Sequence, residues 1–365
     1  MSSKKINVAI IFGGKSAEHE ISLQSAKNVY DAIDKEKYNP ILIGIDKKGR
    51  WVLQKNDNVG CVNFNKIDST SPQIHILPGE GLLVGTKENL EINVAFPILH
   101  GPLGEDGTVQ GLLKLANIPF VGAGVLGSAV GMDKEIMKRL FRDEGIPIAK
   151  FLIFKKGDKL LKFSDTVESL GLPFFVKPAN MGSSVGVSKV TTETEYKKAL
   201  FDAFKYDNKI IVEEFIKGRE IECGGLGNFE VIASIPGEII PLYDFYSYES
   251  KYIDKDGAKL EIPAKISKET VAVIKNLTIK TFKLLSCEGL GRVDFFLKEN
   301  GEVIINEINT IPGFTKISMY PKLWEASGIS YTNLIDKLIQ FAIERFKNEE
   351  MLESNYSKSS GLESR

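Results

Sequence analysis

Two acidic residues in one short stretch set the chemistry open to this chain. Gly291 to Asn309 reads as two strands joined at Asn300-Gly301, a pair that favours tight hairpins because both central residues of a type I′ turn take positive φ. With those two residues as the loop, Asp294 falls directly opposite Glu307, and Arg292 opposite Asn309. Side chains alternate with period two, so Arg292, Asp294, Glu307 and Asn309 share one face while Val293, Phe295, Ile304 and Ile308 share the other. Two facing carboxylates about 4 Å apart repel by roughly 4 kcal/mol at an effective dielectric of about 20, against about 0.2–1 kcal/mol from a good cross-strand pair. A cation between them resolves the conflict. Asp, Glu and the Asn carbonyl are hard oxygen ligands of the kind Mg²⁺ takes together with phosphate oxygens, so the face reads as a magnesium–nucleotide site. The competing reading is a solvated hairpin with a polar outer face, on which Arg292 neutralises the acids.

A second constellation runs from Phe174 through Lys177 to Gly182-Ser183-Ser184-Val185-Gly186. It puts a lysine at the end of an apolar strand and a small-residue loop after it. Such a charge calls for an anionic partner, and Gly/Ser loops let backbone N–H groups approach phosphates closely. The loop lacks the Gly-Lys-Ser/Thr ending of a P-loop, and a plain β-turn remains the alternative. Gly122, Gly124 and Gly127 match GxGxxG, but the strand before them is short and no second strand ends in an acid at the required distance. We read that stretch as a flexible turn lining a cleft between domains, not as a dinucleotide site.

The elements that must position these groups follow from periodicity. Val8 to Phe12 is a continuous apolar run ending at Gly13-Gly14, the pattern of a buried parallel strand opening into a loop and a helix from near Ser22. Strands over Pro40 to Ile45 and Ile92 to Leu99 and helices over Ser25 to Ile33 and Thr108 to Ala116 complete an α/β layer. A helix from about Asp133 to Glu144 leads into an antiparallel α+β unit with strands at Phe151 to Phe154, Pro173 to Lys177, Val185 to Val187 and Ile210 to Glu213, and a helix over Glu193 to Phe204. Strands dominate from Glu220 until an amphipathic helix carrying Val271, Ile274, Thr278 and Phe282, and the last helix runs from Tyr331 to Glu344. We expect domains over 1–125, 126–217 and 218–350, with a disordered tail over 351–365. Pro241 to Pro263 packs four tyrosines, Tyr243, Tyr246, Tyr248 and Tyr252, into a polar connection that suits a lid better than a surface excursion.

Composition removes several classes. With 47 basic and 48 acidic residues no overall field draws the molecule to nucleic acid or to anionic lipid. Cys61, Cys223 and Cys287 have no CxxC spacing, which fits a reducing compartment and buried thiols rather than zinc. The amino-terminal apolar run is too short to span a membrane, so the cytoplasm is the expected location.

With these residues assembled, the chain resembles the ATP-grasp superfamily and, within it, the D-alanine–D-alanine ligase family. The resemblance runs from about Val8 to Ile339 and rests on Gly13 to Ser22, Leu99 to Gly111, Tyr248 to Tyr252 and Asn306 to Thr315. It implies three domains, an amino-terminal parallel α/β domain and two α+β domains gripping ATP between antiparallel sheets. It further implies that Lys134 and Lys177 hold phosphates with Ser183 and Ser184. Glu213 and the Phe215-Ile216 backbone would hold adenine, Glu220 ribose, and Phe245 and Lys251 further parts of ATP. Asp294, Glu307 and Asn309 would bind two Mg²⁺ or Mn²⁺ ions. Glu18, with His100 nearby, would bind the ammonium of a first D-alanine, and Ser318 the carboxylate of a second. Arg292 and the Gly313 N–H would stabilise the oxyanion, and Glu18, Ser183 and Tyr252 would handle the attacking amine. The resemblance also implies a role in peptidoglycan precursor synthesis and a homodimer formed through the amino-terminal domain. D-alanine–D-lactate ligation is the alternative reaction, and the segment ending at Tyr252 favours the dipeptide.

Overall fold

The apolar run near the amino terminus forms the strand Ile6–Gly13, paired in parallel with Tyr38–Ile45 and Val94–Pro97, with Trp51–Gln54 antiparallel at the edge. It does not alternate because both faces are covered. Val8, Ile10 and Phe12 pack with Leu334, Ile335 and Leu338 of the last helix, while Ala9 and Ile11 pack with Val109 and Leu113 on the other side. These elements belong to a computed structural model that describes residues 4–54, 64–85, 88–241 and 258–352. The expected tail falls outside the described residues from 353 onward, as do Cys61 and the greater part of the tyrosine-rich connection, Tyr243, Tyr246, Tyr248 and Tyr252 included. The described ends of that connection pair with each other, Pro241 with Ala258.

The central sheet is antiparallel, in the order Ser188–Val190, Phe174–Pro178, Lys209–Glu214, Phe151–Lys155. Thr192 and Glu195 close a capping box at the start of the helix Glu193–Ala203, which covers one face. The expected strand at Val185 to Val187 is instead part of the loop. Ser183, Ser184 and Gly186 all take positive φ, and turn hydrogen bonds from Val185 N to Gly182 O and Val187 N to Ser184 O curl the backbone before the strand begins at Ser188. The large sheet runs Ala258–Glu261, Gly237–Pro241, Arg219–Gly227, Gly289–Leu297, Val303–Asn309. The helix Lys268–Leu284, capped by Ser267, packs Ile274, Thr278 and Phe282 against it.

The hairpin keeps its expected partners at the site for an unexpected reason. Its turn is a three-residue loop, with Lys298 N donating to Glu302 O at 2.9 Å, Gly301 N donating to Lys298 O at 3.0 Å, and Gly301 alone at positive φ. That puts the strands one residue out of step with a two-residue turn, so Phe295 faces Ile305. A bulge at Asn306 then restores the offset, and Asp294 faces Glu307 and Arg292 faces Asn309. Ile304 is the casualty of the simpler reading. It lies with Phe296 on the site face, and Ile305 takes its place beside Phe295 in the core.

The glycine-rich stretch Gly122 to Gly127 also departs from expectation. Residues from Val125 onward form the helix Val125–Met132, and a Cβ at Gly127 would meet Ser286 O at 2.5 Å. The small residue serves close helix packing. Two further elements, the helix Met319–Ala326 and the extension of the last helix to Glu350, were not evident in the sequence.

Candidate active site

On the hairpin face, Arg292 chelates the carboxylate of Asp294, two positions along the same strand, through Nε at 2.7 Å and Nη2 at 2.8 Å. Asn309 Nδ2 donates to the same carboxylate at 2.9 Å. The neighbouring strand adds Glu222, which lies opposite Asp294 with Oε2 2.9 Å from Arg292 Nε. Glu222, Asp294 and Glu307 therefore form a row of three acids across three strands, compensated by Arg292 and by Lys134, whose Nζ is 3.2 Å from Glu307. The sequence reading missed Glu222, although its period-two spacing from Glu220 was the available signal.

Lys134 opens the helix Lys134–Asp143, whose amino terminus Asp133 caps by accepting from Glu135 N and Ile136 N. Its Nζ also donates to Met181 O at 2.8 Å, next to the Gly182 loop. One turn on, Lys138 is buried with its Nζ 2.7 Å from Glu213 Oε1 in an ion pair, while Lys177 pairs with the other oxygen of Glu213. Burial pulls the Lys177 pKa down, yet Glu213 and Glu307 outweigh it and the group is raised; for Lys138 burial wins and the group is lowered. Burial would raise Glu213, but the two lysines hold it below the ordinary carboxyl range. Beside this cluster Ala149, Ile216, Phe296 and Ile304 form an apolar patch, with Glu220 opposite Phe296 on the next strand and the Phe215 ring exposed against Phe175.

At the other end, Glu18 is buried just before the helix His19–Ala32 and accepts a hydrogen bond from Ser183 Oγ, with Ser184 following in the same left-handed turn. A Cβ at Gly101 would lie 2.9 Å from Glu18 Oε2, so only glycine leaves that carboxylate its space. His100 is buried and bonded through Nδ1 to Ile311 O at 3.2 Å, and burial holds its pKa below the ordinary value despite nearby Glu18. Glu105, another residue missed in the sequence, accepts from Gly101 N at 2.6 Å; burial and the Glu18 charge push its pKa up to about 8. Ser25 joins this loop to the next, contacting His100 Nε2 at 3.4 Å and accepting from Phe314 N at 3.3 Å. Gly313 lies against Ser318, whose Oγ accepts from Thr315 N at 3.0 Å. Tyr252, Phe245 and Lys251 lie outside the described residues.

Asp294, Glu307 and Asn309 fit a hard divalent ion as donors, with Asn309 turning its amide to offer oxygen. Among the described residues no group of three or more His, Cys, Asp and Glu forms a metal site by itself. An ion held here needs oxygens from another source, which a polyphosphate supplies. The acid row thus suits a metal-bound polyphosphate, and the Glu18 carboxylate an ammonium.

Family models for the D-ala D-ala ligase N-terminus and C-terminus match residues 7–123 and 140–340. The D-alanine–D-alanine ligase of Oceanobacillus iheyensis is 53% identical over 97% of this chain and 99% of its own length. The solved D-alanine-D-alanine ligase of Coxiella burnetii superposes with a TM-score of 0.85 at 39% identity, covering 95% of this chain and 97% of that one. The VanG D-Ala:D-Ser ligase of Enterococcus faecalis superposes with a TM-score of 0.83 at 36% identity, covering 93% of this chain and 100% of that one. The chain belongs to the D-alanine–D-alanine ligase family and has its ATP-grasp fold.

Proposed function

We infer that this chain uses ATP to convert the carboxylate of one D-alanine into an acyl phosphate, and that the amine of a second D-alanine displaces the phosphate to give D-alanyl-D-alanine. The observation that carries the reading is the row Glu222, Asp294 and Glu307, interleaved with Arg292 and Lys134 on one face of a hairpin. A carboxylate has no good leaving group until phosphorylation provides one. Phosphoryl transfer depends on positioning and charge compensation, so no protein nucleophile is required.

Lys134 and Lys177 take the phosphates, assisted by the Ser183 and Ser184 loop. Glu213 and the Phe215-Ile216 backbone take adenine over the Ile216, Phe296 and Ile304 patch, and Glu220 takes ribose. Asp294, Glu307 and Asn309 are the residues that hold two Mg²⁺ or Mn²⁺ ions, which when bound neutralise the transferring phosphoryl group. Arg292 and the Gly313 N–H lie ready for the oxyanion of the tetrahedral adduct. Glu18, steadied by Ser183 and next to a neutral His100, accepts the first ammonium. Ser318 receives the carboxylate of the second substrate. Tyr252 joins Glu18 and Ser183 in handling the proton of the attacking amine, and Phe245 and Lys251 contribute to binding ATP.

The division at about residues 125 and 217, homodimerisation through the amino-terminal part and a cytoplasmic location belong to the same proposal. Among the described residues no helix is long and apolar enough to cross a membrane. Ester formation with D-lactate is the second reaction to be tested, and the VanG neighbour adds D-serine as an acceptor. Phosphate release with D-alanine alone, then with D-lactate or D-serine added, decides between them. D-alanine-dependent release with the dipeptide dominant supports the reading; release that ignores D-alanine refutes it, and a dominant ester assigns the alternative.

A further inference from the structure

Lys138 takes part in neither the phosphate contacts nor the metal set, yet it is 1% exposed in the middle of both. Its Nζ lies 2.7 Å from Glu213 Oε1 and donates to Asn306 O at 3.1 Å. Asn306 is the bulged residue of the hairpin and has no partner opposite it in the ladder, so this carbonyl receives from the lysine. The same bulge decides that Glu307 and Asn309 fall on the site face. Glu213, the other partner, fixes Lys177 with its second oxygen. One cation therefore ties the residue that sets the hairpin register to the acid that holds a phosphate-binding lysine.

We propose that Lys138 is a positioning residue for the nucleotide, acting through the Asn306 bulge on Glu307 and Asn309 and through Glu213 on Lys177. The inference rests on the nucleotide site proposed above. Lys138 follows Lys134 by four positions, so both project from one face of the helix Lys134–Asp143. Lys134 reaches the Glu307 carboxylate directly, whereas Lys138 holds the backbone from which it projects. Their losses should differ accordingly. Without Lys134 the site loses a phosphate contact; without Lys138 it keeps every contact group but loses their alignment.

Titration of a non-hydrolysable ATP analogue into wild type and Lys138→Met, at rising free Mg²⁺, reads this without turnover. The variant should bind the analogue at least tenfold more weakly and need severalfold more Mg²⁺ for half-maximal binding, while the KM for D-alanine stays within twofold. Added Glu213→Gln, which removes the carboxylate oxygen left without its lysine, should not recover the Mg²⁺ dependence. A folded Lys138→Met with wild-type analogue affinity and Mg²⁺ dependence overturns the proposal, and so does an equal rise in both KM values. Should Lys138→Met not fold, Lys138→Gln keeps a donor for Asn306 O but no charge for Glu213, so it should show weakened analogue binding with a smaller Mg²⁺ shift, and wild-type analogue affinity in that variant overturns the proposal. If neither folds, the lysine supports the fold and not the site, and the assignment is wrong. Failure of wild type itself to bind the analogue would instead count against the nucleotide site.

Discussion

The two ends of the cleft stand on opposite electrostatic terms. On the nucleotide wall four acids already have a cation: Glu307 has Lys134, Asp294 and Glu222 share Arg292, and Glu213 has Lys138 and Lys177. At the amino-acid end Glu18 relies on the Ser183 hydroxyl and Glu105 on the Gly101 N–H, and neither makes an ion pair among the described residues. Compensated acids form a wall that admits an anion together with its counter-ions. An uncompensated carboxylate such as Glu18 favours a cation, which for a free amino acid is its ammonium, while Glu105, its pKa pushed up to about 8, keeps its proton at neutral pH. The contrast also separates the tasks, because a change at one end should leave affinity at the other intact.

The strongest way to break the contrast is Asp294→Asn. It relieves repulsion in the acid row but removes a metal donor and an Arg292 partner, so turnover should fall about a hundredfold or more while the melting temperature holds. Steady-state kinetics and a thermal melt check this, and unchanged activity across a magnesium titration would contradict it. Glu18→Gln attacks the other end. Loss of a charged contact to an ammonium should raise the KM for D-alanine about tenfold or more and leave ATP-analogue affinity within twofold; a joint loss would show that the ends are not separate.

Glu105→Gln sharpens the comparison through pH. The folded-state pKa is raised to about 8, so the folded protein holds more protons than the unfolded chain between the ordinary carboxyl range and that value. Stability from this group is therefore full at low pH and declines as pH rises through the window. The Gln variant should melt close to wild type near about pH 5 and a few degrees higher above about pH 8. Parallel pH profiles for the two proteins would be the contrary result. The smallest effect is expected at Gly301→Ala, where φ is +85° and space is open. Chemical denaturation should show a loss of about 1 kcal/mol, with kcat unaltered because the Asn306 bulge sets the site register.

Much of the hairpin was legible, and for an instructive reason. Asp294, Glu307, Arg292 and Asn309 could be paired from one turn signal, but the pairing survived because a longer turn and a bulge offset each other. Local patterning cannot distinguish that from a plain two-residue turn, and Ile304 records the difference. Lys138 was invisible because its meaning depends on contacts with elements far apart in sequence, whereas Glu222 was missed although its spacing from Glu220 marked it. Ser183 and Ser184 were read as a loop, but Val185 to Val187 read as a strand, since a backbone curled by left-handed serines and held by tertiary contacts carries no local signal. The buried strand Ile6–Gly13 and the capped helices were recovered because burial and capping leave their mark in adjacent residues.

The acyl phosphate is the step on which the opposed walls converge, and isotope transfer tests it directly. D-alanine labelled with ¹⁸O in both carboxyl oxygens should deliver one labelled atom to each inorganic phosphate released with the dipeptide. Phosphate free of label, with both labelled oxygens accounted for elsewhere, would contradict the account.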